Sequence, residues 1–171
     1  MGVSAGHVAA AALAGGLVGF VAGVIGQPVH TVAPVVVVLA TLVAVGFAVR
    51  ANQTGYGRHR QVPRSWIQAY GALRAYAAWG ALLGSGVATV VPHSAYLVLL
   101  AAELVSGPKA GALAGASFGL TRGLAAVALA RSRGPSAEIA DVLPRARALA
   151  ARGNLAVAAL GGLALLGATV L

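Results

Sequence analysis

The sequence predicts an all-α integral membrane protein, a glycine-rich bundle of about five crossings with one broken or re-entrant segment. Three observations carry that expectation. Hydrophobic residues make up 59% of the 171 and charged residues 9%, with a mean hydropathy of +0.88. A soluble domain carries roughly 25% charged residues, so this chain lacks the polar groups to cover a water-facing surface. Its apolar residues come in runs close to the ~20 that a bilayer crossing needs. Nine of the eleven arginines fall in two stretches: Arg50, Arg58, Arg60 and Arg64, then Arg131, Arg133, Arg145, Arg147 and Arg152. Basic loops stay on the cytoplasmic side, so both stretches are expected inside, and every helix acquires a direction.

The net charge of +9 does not point to nucleic acid, because the charge lies in loops between apolar runs rather than on one polar face. A lipid bilayer with anionic headgroups is the expected counter-charge. The chain has no cysteine, which excludes disulfides, thiolate metal sites and thiol relays. No basic residue precedes the first apolar run, so that run reads as a retained helix rather than a cleaved leader.

The elements follow in order as one transmembrane domain, 1–171. A first span at about 8–25 ends at Gly26-Gln27-Pro28, and a second runs over about 31–49. The polar stretch 51–65 reads as a cytoplasmic loop. Segment 66–106 is too long for one crossing and is interrupted at Val91-Pro92-His93-Ser94. Two full crossings there would put the arginine clusters on opposite sides. One net crossing, by a broken helix or a helix plus a re-entrant piece, keeps both inside. The alternative is two ordinary helices with one basic loop outside. Non-helical backbone at membrane depth requires protein or a water-filled cavity around it.

Gly107-Pro108-Lys109 predicts an outer turn, and the next span is about 110–130. Within the second basic stretch, Ile139, Val142, Leu143, Ala146 and Ala150 recur at helical spacing, which suggests a short amphipathic helix on the inner surface. Pro144 counts against it, since an internal proline breaks or kinks a helix. The last span is about 154–171. The chain is therefore expected in the cytoplasmic (inner) membrane, N-terminus inside and C-terminus outside.

Gly111, Gly115, Gly119 and Gly123 recur every fourth residue, as do Gly15, Gly19 and Gly23; Gly80, Gly84 and Ala88 extend the pattern. Glycines at that spacing form a zipper on one helix face, where another helix can approach to backbone contact. The stretches 15–23 and 111–119 also align, with glycine or small residues and leucine in register. On the expected topology they run in opposite directions, the arrangement of an inverted repeat, a common transporter plan.

Ionisable groups inside a membrane are costly and mark candidate functional positions. Arg122 lies mid-span and wants a carboxylate, backbone carbonyls or a wet cavity. Glu103 is the only acid outside the inner loop, so a Glu103–Arg122 pair is plausible by elimination. Arg74 is nearer the inner end and can snorkel. His93 sits in the break beside Thr89, Pro92, Ser94 and Tyr96. Pro92 cannot donate a backbone hydrogen bond and leaves carbonyls free nearby, so carbonyls, hydroxyls and an imidazole could form an ion, proton or polar-substrate site there. Equally, His93 could be a loop histidine at the outer surface. His7, His30 and His59 are expected to be solvated. Trp66 and Tyr70 fit an interfacial aromatic belt, while Tyr76 and Trp79 could line the break or face lipid. Histidine spacing offers no metal motif, and neither a nucleophile–base set nor a phosphate loop is present. No enzyme activity, cofactor or metal is expected.

The stretch 79–92, followed by a short apolar run and then Gly111–Gly123, resembles the helix-break-helix unit of CcdA/DsbD-type membrane proteins and of the LysE-like transporter superfamily. That resemblance implies small glycine-rich helices, inverted three-helix repeats and a proline break at the site. The thiol carriers among them use a cysteine beside the break, and this chain has Thr89, Pro92 and His93 in that neighbourhood. The expectation is therefore a transporter or channel-like protein for an ion or small polar solute, working as a homo-oligomer or with partner membrane subunits. A structural or assembly subunit of a larger membrane complex is the alternative.

Overall fold

The computed structural model describes residues 2–50, 65–86, 93–131 and 136–170, and side chains for all of these except 2, 3, 30, 129–131 and 136–151. Every regular element in it is helical. The order is α1 (Gly2–Ile25), a 3-10 turn (Gln27–Val32), α2 (Ala33–Val49), α3 (Ser65–Ser85), α4 (Tyr96–Val105), α5 (Gly107–Arg131) and α6 (Ser136–Val170). Among the described residues, three stretches are long and apolar enough to cross a membrane: Ser4–Ile25, Gly107–Ala128 and Arg152–Val170. Ala33–Val49 and Tyr96–Val105 are shorter apolar helices.

Packing between these helices inverts the soluble pattern. Large apolar side chains normally fill a core. In this chain the buried centre is mostly small: Ala11, Ala33, Ala44, Ala75, Ala101 and Ala158, with the glycines of α1, α3 and α5. Leu13, Leu17, Leu42, Leu113 and Leu160 point outward, each more than half exposed. Outward hydroxyls are satisfied within their own helix: Ser117 donates to the Leu113 carbonyl and Thr121 to the Ser117 carbonyl, both at 2.8 Å. Back-bonding of this kind hides the polar atom from an apolar solvent. Leucine outside, glycine and alanine inside, and no unsatisfied outward hydroxyl among those two fit a bilayer as solvent.

The contacts fix the helix directions. A Cβ added at Gly15, Gly19 or Gly23 would collide with the backbone of Gly115, Gly111 or Gly107, and one at Gly119 with the Ala11 carbonyl. Four residues forward on α1 match four backward on α5, so these two helices are antiparallel. Gly80 meets the His7 carbonyl and Gly84 the Ala11 carbonyl, four forward for four forward, so α3 runs parallel to α1. On α4, Tyr96 stacks on Phe118 of α5 at 4.7 Å, opposite the middle of α1, while Leu104 abuts Gly26 just past the end of α1. Hence α4 also runs with α1. Ala44 packs with Val98 and Ala158, and Ala33 and Val37 with Val105 and Leu165. That makes α2 antiparallel to both α4 and α6.

Consequently α3 and α4 follow one another in the same direction, with the break between them at half height. The last residue of α2, the first of α3, the end of α5 and the start of α6 all lie at one end of the bundle. Gly107, at φ +77°, lets the chain reverse from α4 into α5 with no intervening loop, a conformation that costs other residues more. Within α3, Gly71 (φ 76°, ψ 158°) sets off the residues before it from the rest of the helix.

Two expectations need correction. The sequence predicts segment 131–152 and the last span as separate pieces, but α6 is continuous from Ser136 through Pro144 to Val170. Most of the second arginine stretch is thus the first part of the last helix. His7 was expected to be solvated; it is 3% exposed, wedged between α1 and α3.

Candidate functional site

The helix break leaves backbone groups without intrahelical partners, as any helix end does. Side chains from other helices take them up. At the end of α3, Arg122 Nη1 on α5 donates to the Leu83 carbonyl at 3.0 Å. The Tyr96 hydroxyl on α4 donates to the Ser85 carbonyl at 3.3 Å, and Ser85 Oγ donates to the Leu82 carbonyl at 2.9 Å. A guanidinium at a helix C-terminus also complements the negative end of the helix dipole. Arg122 additionally lies 5.5 Å from the centre of the Phe118 ring, within cation–π range. Gly86, at φ +66°, closes the helix, and a Cβ there would strike the Tyr96 ring.

The start of α4 is held from the other side of the bundle. Ser94 is 4% exposed and donates to the Ala44 carbonyl of α2 at 2.7 Å. Asn154 on α6 does two things at once: its Oδ1 accepts from Ala95 N at 2.9 Å, and its Nδ2 donates to Ser94 Oγ at 3.0 Å. Ser94 and Asn154 together therefore join α2, α4 and α6 at the break. His93 is exposed, and its carbonyl accepts from Tyr96 N at 3.2 Å.

Of the residues singled out from the sequence, the structure brings Ser94, Tyr96 and Arg122 to the break and leaves His93 at its exposed edge. Thr89 and Pro92 lie outside the described residues. Glu103 sits one turn and more along α4, 1% exposed, with its carboxyl against Gly115 of α5 and no hydrogen-bond partner on Oε2. Arg122 points instead to the Leu83 carbonyl. Sequence reasoning missed Asn154, which looked like the first residue of a span. Its signal was available: a lone carboxamide in a run of alanine, leucine and valine. It also missed His7, whose Nδ1 lies 3.0 Å from the Tyr76 carbonyl and whose ring meets Trp79 edge-on at 5.5 Å. Trp79 itself is 40% exposed. Trp66 and Tyr70 pair edge-on at 6.2 Å near the start of α3.

Among the described residues no group of three or more His, Cys, Asp or Glu side chains could hold a metal ion. No family model, curated protein or solved structure matches this chain.

Proposed function

We propose that this small polytopic membrane protein moves an ion or small polar solute, with its pathway at the break between α3 and α4. One observation carries the reading. Two half-helices run the same way and meet at half height in the bundle, so the negative end of α3 and the positive end of α4 both face the gap. Discontinuous helices with opposed dipole ends are how transporters build polar sites at the bilayer midplane. Arg122, Tyr96, Ser94 and Asn154 line this one, with His93 at its mouth and Thr89 and Pro92 in the connecting segment.

On this reading α3 and α4 form a single net crossing and the chain makes five. The basic ends at Arg50 and Arg131 then face the cytoplasm, with the N-terminus inside and the C-terminus outside. The glycine zippers of α1, α3 and α5 hold the scaffold that supports the gap. The match between 15–23 and 111–119 reads as an inverted repeat. Support comes from the antiparallel α1–α5 contact, which is symmetric about Gly15–Gly115 and Gly19–Gly111. The resemblance to the LysE-like and CcdA/DsbD-type proteins belongs to the same proposal and bears on architecture alone.

A second reading has an observation of its own. The polar side chains at the break direct their hydrogen bonds to the chain's own carbonyls and amides, as a structural or assembly subunit would need. Flux in proteoliposomes separates the two. A panel of monovalent ions and small polar solutes should include at least one that crosses faster than in empty vesicles and slows when His93→Ala or Arg122→Gln is introduced. Flux indifferent to both substitutions contradicts the site, and recovery of a stoichiometric membrane partner in mild detergent would favour the subunit.

A further inference from the structure

Glu103 is the largest fully buried side chain among the described residues. It lies where three helices meet. Its carboxyl rests against Gly115 of α5, and Gly115 is itself in backbone contact with Gly15 of α1. The glycine makes the room: a Cβ at Gly115 would stand 3.1 Å from Glu103 Oε1, and one at Gly111 would stand 3.0 Å from the Glu103 carbonyl oxygen. The Oε2 atom is enclosed and has no hydrogen-bond partner. A packing role would be served by leucine or methionine at no electrostatic cost, whereas an acid placed among glycines and apolar groups carries a large penalty when charged.

We propose that Glu103 is a reversible proton-binding site, sealed between α1, α4 and α5, which couples proton movement to the transport reading above and rests on that reading for its physiological role. A proton rather than a metal ion fits because a metal ion needs several oxygen ligands at once, and among the described residues Glu103 belongs to no group of three or more His, Cys, Asp or Glu side chains. The chemistry is a simple exchange: the carboxylic acid gives its proton to water and becomes a carboxylate, and the reverse step restores the acid. Titratable and charged groups on the surrounding helices are few. On α4 there is Tyr96, whose ring stacks on Phe118 of α5 at 4.7 Å, at a level between Gly115, where the Glu103 carboxyl lies, and Arg122. On α5 there are Arg122, about 10 Å further along the axis than Gly115 at 1.5 Å per residue, Lys109, which is exposed, and Arg131, the last residue of the helix. On α1 there is His7, about 12 Å along the axis from Gly15 by the same measure and engaged at the Tyr76 carbonyl. Tyr96 thus stands between the acid and the cation that caps α3, and its own hydroxyl reaches the break at Ser85. A proton leaving Glu103 has a hydroxyl on its way to the gap.

The chain has only three acids, Glu103, Glu138 and Asp141, so infrared difference spectroscopy of the full protein in lipid can assign each. Stepping the pH should raise and lower a protonated-carboxyl stretch that disappears in Glu103→Gln and persists, displaced, in Glu103→Asp. Unchanged circular dichroism and gel-filtration elution of Glu103→Gln show that the fold survives. A spectrum in which Glu103→Gln removes no titrating band overturns the proposal, as does a band that responds to sodium or potassium at constant pH instead of to protons. Proton uptake by proteoliposomes under an imposed pH gradient is read alongside. A Glu103 band that titrates while uptake equals that of empty vesicles upholds the proton site and removes its coupling to transport, whereas absence of the band in the parent removes the site; the transport reading itself stands or falls on solute flux.

Discussion

At the scale of single residues, the structure divides glycines into those that hold helices together and those that do not. Gly15 and Gly19 leave no space for a Cβ, because the facing carbonyls of α5 occupy it. Substituting either by alanine should force the helices apart and destabilise the protein by about 1–3 kcal/mol, the usual range for overpacking, measured by unfolding in mixed detergent. Gly46, Gly153 and Gly167 have nothing within 4 Å of such a Cβ. Alanine there should leave stability within about 1 kcal/mol of the parent, and on the side of greater helix stability. Asn154 belongs to the same scale. Replacing it by alanine strips the Ala95 amide of its partner and the Ser94 hydroxyl of one of its contacts. That should cost about 1–3 kcal/mol, the penalty for a buried polar group left unmade, whereas Asn154→Gln should retain part of it. The four-residue glycine spacing was legible because sterics alone write it. Asn154 was not legible, and backbone carbonyls could be offered to Arg122 only as a class, because both side chains meet backbone atoms. A carbonyl at Leu83 carries no mark in the sequence, so elimination among side chains paired Arg122 with Glu103.

At the scale of elements, the broken crossing is the feature that organises the molecule. Pro92 and the glycine and hydroxyl residues around it announced a break, and the arginine clusters announced that the two pieces share a direction. The contacts of Gly80, Gly84, Tyr96 and Leu104 give α3 and α4 the same direction. What the sequence left unread is how the ends are closed. Arg122 serves α3 and Asn154 serves α4, from two different helices. Arg122→Lys should therefore be a poor replacement despite its charge, since a single ammonium cannot reproduce the planar fork that a guanidinium presents. Thermal unfolding in detergent should show Arg122→Lys closer to Arg122→Gln than to the parent. The continuity of α6 through Pro144 was equally hidden. Proline weighs against a helix interior by roughly 3 kcal/mol, and the packed half of α6 beyond it was not visible as an anchor.

At the scale of the whole molecule, an outer shell of leucine and valine surrounds an interior of glycine, alanine and a few polar side chains that bond mostly to backbone groups. Such an interior suits a bilayer, where close backbone approach replaces the hydrophobic effect as the source of cohesion. It also gives the chain a polarity: the basic ends of α2 and α5 emerge together, at the end where α1 begins. Reporter fusions should therefore place the N-terminus and residues 51–64 in the cytoplasm and the C-terminus outside. A C-terminus on the same side as the N-terminus would mean that α3 and α4 are not one crossing.

The central claim is that the gap between α3 and α4 is reached by water. The chain has no native cysteine, so Ser85→Cys, Ser94→Cys and Ser117→Cys each install a single thiol with little change in volume. Ser117 faces outward on α5 and reports on lipid, while Ser85 and Ser94 flank the gap. Each is exposed in intact membranes to a thiol reagent that cannot cross the bilayer. The account predicts labelling at 85 and 94, slowed by any solute that the protein carries, and silence at 117. Silence at 85 and 94 as well, with a labelled cysteine at His93 as the positive control, would mean a dry, closed interior and would contradict it.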